Sequence, residues 1–155
     1  MAGQTASTSP IGPAIAVEGL LLQIGNGASP DAFSTIANAT DLSLPIMTDT
    51  VDVTNVGDSW KRRIPTLHDM GKIGFKVFWV MEDVTHRNSS ANNIDGLRWC
   101  LVQSALRDFQ FIYPDGNNST DAFAAYTTEF GITGKVGGVF ESAVTLSNSG
   151  APSLV

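Results

Sequence analysis

Between residues 71 and 81 the side chains alternate with a period of two. Ile73, Phe75, Val77, Trp79 and Met81 share one face of the pattern; Lys72, Gly74, Lys76, Phe78 and Val80 share the other. Only an extended chain puts every second side chain on the same side. The segment is predicted to be a β-strand whose first face lies in a core. Its second face is polar at one end and apolar at the other, as for a strand whose far end is covered. Residues 139–146 repeat the period, with Phe140, Ser142, Val144 and Leu146 on one face. Residues 15–24 repeat it with apolar side chains on both faces, so both are predicted to be covered. Shorter strands are predicted over residues 32–37, 49–54, 109–113 and 122–130. Turn signals punctuate them at Gly25-Asn26-Gly27, Pro45, Pro114-Asp115-Gly116 and Gly137-Gly138.

A single segment, residues 94–106, follows the helical period. Ile94, Leu97, Leu101 and Ala105 form its stripe and Val102 adjoins it. Asn93 is placed to cap this helix, and Asp95 falls in its first turn, where the helix dipole favours an anion. About seven strands and one helix predict a mainly-β fold, a β-sandwich or barrel with one flanking α-helix.

The chain has 155 residues, a length that suits one domain spanning residues 1–155. Apolar residues make up 43% and charged residues 15%, which excludes a coiled coil and an acidic disordered chain. So few charges also imply that part of the surface is covered by a partner. With 9 basic and 15 acidic residues the net charge is −6, which argues against a protein that grips phosphates. No run approaches the ~18 apolar residues of a membrane span. Residues 1–13 are small, polar and punctuated by proline; they read as a flexible arm and lack the basic and apolar regions of a signal peptide. Synthesis and assembly in a cytoplasm are expected.

Charge is distributed unevenly. No Lys or Arg precedes Lys61, whereas Glu18, Asp31, Asp41, Asp49, Asp52 and Asp58 all fall in that stretch. An acidic region and a basic region on one molecule could pair head to tail with copies of itself. The densest basic cluster, Lys61, Arg62 and Arg63, lies in residues 55–70, which show no alternation and are predicted to be a long inter-strand loop. Trp60, Ile64 and Pro65 flank the cluster, and such apolar groups argue for docking. Trp60, Lys61, Arg62, Arg63, Ile64 and Pro65 are therefore the candidate contact residues.

Catalytic chemistry is not legible. His68 and His86 each lack a second His or Cys at metal-ligand spacing, and are read as exposed or hydrogen-bonded. Asp49 and Asp52 would point to opposite faces of a strand. Cys100, the only cysteine, lies beside the helical stripe and reads as a buried structural thiol. Nucleophile-elbow, phosphate-loop and zinc-protease motifs are missing, and the four Asn-x-Ser/Thr acceptors are chance matches. No catalytic, cofactor or metal residues are predicted; the chain reads as an assembly subunit rather than an enzyme.

Several short motifs, in order, carry a resemblance. Residues 49–54 (Asp-Thr-Val-Asp-Val-Thr) precede Ser59-Trp60-Lys61 and the run Ile64-Pro65-Thr66-Leu67-His68-Asp69-Met70-Gly71, which opens into the strand at 72–81. A helix, a strand ending in Pro114-Asp115-Gly116 and a last strand closing on Ser149-Gly150-Ala151-Pro152 follow. Taken together, most of the chain resembles the major tail tube proteins of long-tailed, non-contractile bacteriophages. The immunoglobulin-like domain that some relatives append is not expected. The resemblance implies a β-sandwich or barrel with one flanking helix, six copies in a ring, and rings stacked into a hollow tube through which the DNA genome passes without specific binding. It also implies tail terminator, tape measure and tail tip proteins as partners, a place in the virion tail, and no membrane. The arm and the 55–70 loop would be contacts between rings, and an acidic lumen would repel DNA. Alternatives are the tube of a contractile tail or a type VI secretion system, which share the fold, and a host-adhesion or carbohydrate-binding β-sandwich. The last would need clustered exposed aromatics, whereas Trp60, Trp79 and Trp99 fall in a loop, a core strand face and a helix.

Overall fold

A computed structural model describes residues 20–155; the arm at 1–13 and the first part of the strand expected at 15–24 lie outside the described residues. In chain order the elements are β1 (Leu21–Gly25), β2 (Phe33–Thr35), β3 (Ala39–Ser43), β4 (Met47–Asp52), β5 (Arg63–Asp69), β6 (Lys72–Phe78), β7 (Ser90–Ala91), β8 (Ile94–Asp95), α1 (Leu97–Gln103), β9 (Leu106–Ile112), β10 (Thr120–Thr133) and β11 (Glu141–Asn148). Seven strands form one sheet in the order β2-β1-β9-β10-β11-β6-β3. All its pairings are antiparallel.

This sheet cannot be flat. Its two end strands, β2 and β3, are separated by residues 36–38 alone. Four Cα steps reach about 15 Å, whereas six inter-strand steps of a flat sheet cover about 29 Å. The short link also binds both ends: the Ile36 N–H donates to the Leu22 carbonyl at 2.8 Å, and the Phe78 N–H donates to the Asn38 carbonyl at 3.2 Å. On the other side β10 runs with β9 over Thr120–Tyr126 and with β11 over Ala125–Thr133, with a register shift between Thr127 and Glu129. Two strand runs thus pass from layer to layer, and a bulge marks one corner. One layer is β2-β1-β9-β10 (first half), and the other is β10 (second half)-β11-β6-β3. The sandwich or barrel with one flanking helix is present as predicted.

The alternating residues meet between the layers. Leu22 and Ile24, Phe109 and Phe111, Phe123 and Ala125 come from the first layer; Val144, Leu146, Ile73, Phe75 and Val77 come from the second, and all are buried in one cluster. Phe123 stacks on Phe109 at 5.8 Å and tilts against Phe111 at 5.4 Å between ring centroids. Helix α1 packs on β10 and adds Leu97 and Cys100 to the cluster.

Three expectations change. The helix is only Leu97–Gln103. Asn92 and Asn93 take left-handed φ values of 53° and 59° in the turn between β7 and β8, so Asn93 caps nothing. Gly96 enters the helix in an extended conformation; Ser104, left-handed at φ 51°, ends it with its N–H turned back to the Leu101 carbonyl. Asp95 therefore precedes the helix and is used elsewhere.

Trp79 lies just past the end of β6 and is half-buried rather than in the core, stacked on His86 at 6.0 Å and edge-on to Phe130 at 5.5 Å. Met81, expected on the core face, is exposed, because the chain has already left the sheet.

The long loop at 55–70 is the third correction. Its second half is β5, paired antiparallel with β4. Every residue of β4 and β5 is exposed, so neither strand carries the one-sided burial that produces alternation. Pro65 disguises β5 further, since proline is tolerated in an edge strand where no ladder N–H is required.

Candidate assembly interface

The β4–β5 ribbon has two exposed faces and a tip, residues 53–62. The tip is held by its own hydrogen bonds. The Val53 N–H donates to the Arg62 carbonyl at 2.9 Å, the Arg62 N–H to Thr54 Oγ1 at 2.8 Å, and the Asn55 N–H to Asp58 Oδ2 at 3.0 Å. The Thr54 hydroxyl and backbone N–H beside Asp52 hold its carboxyl below the usual carboxylate range. A two-stranded ribbon is marginal in water by itself, and this one carries apolar side chains on both sides. Val51 pairs with Ile64 in register, Leu67 is 75% exposed, and Trp60 at the tip is 84% exposed. A covered state for this ribbon is what those residues suit.

The six candidate contact residues divide between two settings. Trp60, Lys61 and Arg62 belong to the tip; Arg63, Ile64 and Pro65 begin β5; all six are exposed. Arg62 pairs with Asp58 of the same tip at 3.8 Å, so part of the cluster's charge is balanced locally. Lys61 and Arg63 form no ion pair among the described residues. His68 lies on β5, its Nδ1 2.7 Å from Thr48 Oγ1 across the ribbon. His86 is fully buried: the Val80 N–H donates to Nδ1 at 3.3 Å, so Nε2 carries the proton given to the Ala37 carbonyl at 2.7 Å.

A second surface is formed by backbone. Among the described residues, β10 beyond Tyr126 has no partner on the side where β9 ran, and β3 has none on the side away from β6. Among the described residues the second layer therefore ends in two strand edges whose N–H and C=O groups lack a ladder partner, the usual template for another chain. Its outward face follows from the alternation: Lys72, Gly74, Lys76 and Phe78 on β6, then Ala143, Thr145 and Ser147 on β11, flanked by Glu129 and Glu141. These are mostly small side chains; with Asp41 of β3, which reaches Lys76 at 3.8 Å, three acidic residues face two basic ones. Which strands supply these edges could not be read from the sequence, because strand order is not written in periodicity.

Cys100 is buried, and that burial, reinforced by the nearby Asp95, pushes its thiol up to about 12. The thiol is a packing group rather than a nucleophile at neutral pH. Folding keeps it protonated, so its contribution to stability is complete below pH 9 and is lost as pH rises from 9 toward 12. Alkylation at pH 8 should therefore leave the native chain unlabelled and label it fully in denaturant. Rapid labelling of the native chain would contradict the burial.

No family model matches the sequence, and no curated protein matches it. Solved structures do. The chain superposes on one in the tail of an empty gene transfer agent particle with C6 symmetry, at a TM-score of 0.70 and 18% identity, covering 92% of this chain and 99% of that one. The match to the virion of the native gene transfer agent particle has a TM-score of 0.69 at 18% identity, with the same coverages. A chain from the sheath/tube terminator structure of an extracellular contractile injection system matches at 0.61 with 12% identity, over 90% of this chain and 96% of that one. This is the tail-tube fold. The tail-tube fold here presents its exposed ribbon, its free strand edges and its small-residue face on different sides of one sandwich.

Proposed function

We propose that this chain is a structural virion protein, the repeating subunit of a hollow bacteriophage tail tube, assembled as stacked hexameric rings that deliver the DNA genome. The observation that carries this reading is the pair of free edges on one four-stranded layer. Strand direction alternates across β10, β11, β6 and β3, so β3 of one copy and β10 of the next meet antiparallel and extend the ladder without a break. Closing such a ring removes every exposed edge of that layer. Sixfold closure is supported by the C6 symmetry of the gene transfer agent tail. Six such layers exceed the ~16–18 strands at which a barrel already leaves an aqueous channel.

The outward face of the same layer would line the lumen. Its small side chains give DNA little to grip, and its acidic groups, Asp41, Glu129 and Glu141 against Lys72 and Lys76, keep the wall slightly acidic, as the repulsion of phosphates requires. The exposed ribbon would lie between rings. Tail terminator, tape measure and tail tip proteins are the expected partners at the tube's ends and in its lumen, and the assembly would form in the host cytoplasm. We place the tube in a non-contractile tail. The alternative is a contractile tail or a type VI secretion system, favoured by the likeness to chains of contractile injection systems. A carbohydrate-binding role is disfavoured by the scattered tryptophans: Trp60 stands on the ribbon, Trp79 packs on His86, and Trp99 lies under Arg107.

Negative-stain electron microscopy of the concentrated protein tests the proposal. Hollow tubes with sixfold end views are the expected result. A monodisperse monomer at every concentration and salt condition would overturn it.

A further inference from the structure

The sandwich has two unlike poles. At one end of β11, Glu141 pairs with Phe78; at the other, Ser147 pairs with Lys72. These ends are roughly 20 Å apart, at about 3.4 Å per residue. The first pole carries the turn between β10 and β11, residues 134–140. Its Gly138 N–H donates to the Lys135 carbonyl at 2.9 Å and Gly137 has φ 85°, the signature of a type II turn with Val136 at the apex. Phe140 packs against Gly134 so closely that a Cβ there would meet its ring at 2.5 Å, which stiffens the base of the turn. Val136 is fully exposed, and Val139 and Phe140 are more than half exposed.

The second pole carries a groove of about 560 Å3 at the base of the β4–β5 ribbon. Ile46, Met70, Pro152 and Leu154 supply its apolar lining, and Asp69 stands on its wall. Asn148 also borders it; the Asn148 Nδ2 donates to the Gly150 carbonyl, while its Oδ1 is buried without a hydrogen-bond partner.

We infer that the 134–140 turn of one copy seats in this groove of another copy, making a head-to-tail contact along the tube axis. Two complementarities select a second copy as the occupant. The turn protrudes where the groove recedes, and both are apolar. Lys135 beside the apex and Asp69 on the groove wall have opposite charges, and neither forms an ion pair among the described residues. Because the two surfaces differ and lie at opposite poles, the contact is heterologous and propagates without closing. This inference rests on the tube reading, whose rings it would join.

The test is Val136→Cys together with Leu154→Cys in the full chain. The two positions are too far apart within one subunit for a disulfide, which needs Cα atoms within about 7 Å. Cys100 is buried and does not compete. Mild oxidation of assembled material should give a ladder of covalent multimers running well past six subunits. Each single variant should give no ladder, and the two mixed should stop at the dimer. Lys135→Glu or Asp69→Lys alone should reduce assembly at least tenfold, and the pair combined should restore it. A ladder that ends at six, or tubes without any cross-link, would overturn the inference while leaving the tube reading intact. Failure of the parent protein to assemble would overturn both.

Discussion

Arg107→Met should lower the melting temperature of the isolated chain by roughly 6–20 °C, at about 2–4 °C per kcal/mol for a domain of this size. Asp95 is almost fully buried, and its partner, the Arg107 side chain, is 19% exposed. The Arg107 Nε donates to Asp95 Oδ2 at 2.7 Å, and Ser90 Oγ donates to Asp95 Oδ1 at 2.5 Å. The guanidinium lies 5.6 Å from the Trp99 ring centroid and also reaches the Leu106 carbonyl at 2.8 Å. This network fastens the β7–β8 turn and the start of α1 to β9. Removing Arg107 strands a carboxylate in the interior, and breaking such a pair typically costs about 3–5 kcal/mol. Arg107→Met with Asp95→Leu should regain part of the loss, because no unpaired charge is left behind. Thermal melts followed by circular dichroism measure both. A single variant that melts within about a degree of the parent would mean that the pair holds nothing in place.

Arg62→Glu with Arg63→Glu should nearly abolish polymerisation while leaving the monomer intact. Both side chains are exposed, and exposed charge changes usually alter stability by no more than ~0.5 kcal/mol. Their internal partner accounts for little: the Arg62–Asp58 pair is 3.8 Å long, with Arg62 open to solvent. Should the cluster meet the acidic surface expected of another copy, the same reversal would bring like charges together beside Trp60 and Ile64, where repulsion acts on register and on association rate. Assembly of the parent protein should also weaken as salt rises toward 1 M, where screening reaches to about 3 Å. Sedimentation of assembled material and electron microscopy read both effects. A double variant that assembles as well as the parent, with no salt dependence in either, would remove these charges from the mechanism.

The basic cluster was legible at the sequence level because a tryptophan beside three cations is conspicuous, and its exposure in the structure agrees. Its backbone was not legible. Ile64 and Pro65 sit in a strand whose neighbours on both faces are solvent in the single chain. The poles, the groove and the identity of the free edges were likewise invisible. Asp69 and Leu154 stand 85 residues apart in the chain and share one groove only because β6 and β11 pair in the observed register.

What the sequence determined by itself is the set of elements with one buried face. Ile73, Phe75 and Val77, like Ser142, Val144 and Leu146, alternate because half of each strand is buried within its own subunit, and the same holds for the Leu97–Cys100 side of the helix. Helix ends were set otherwise: Asn92, Asn93 and Ser104 adopt left-handed conformations, and Asp95 is drawn to Arg107 from across the fold. Tertiary structure alone decided that β10 and the β2–β3 run cross between layers, and therefore that the second layer has two open edges among the described residues. The physical reason is where the burial occurs. Hydrophobic periodicity records contacts made inside one chain, whereas an edge is defined by the backbone partner it lacks, and backbone groups are the same in every sequence.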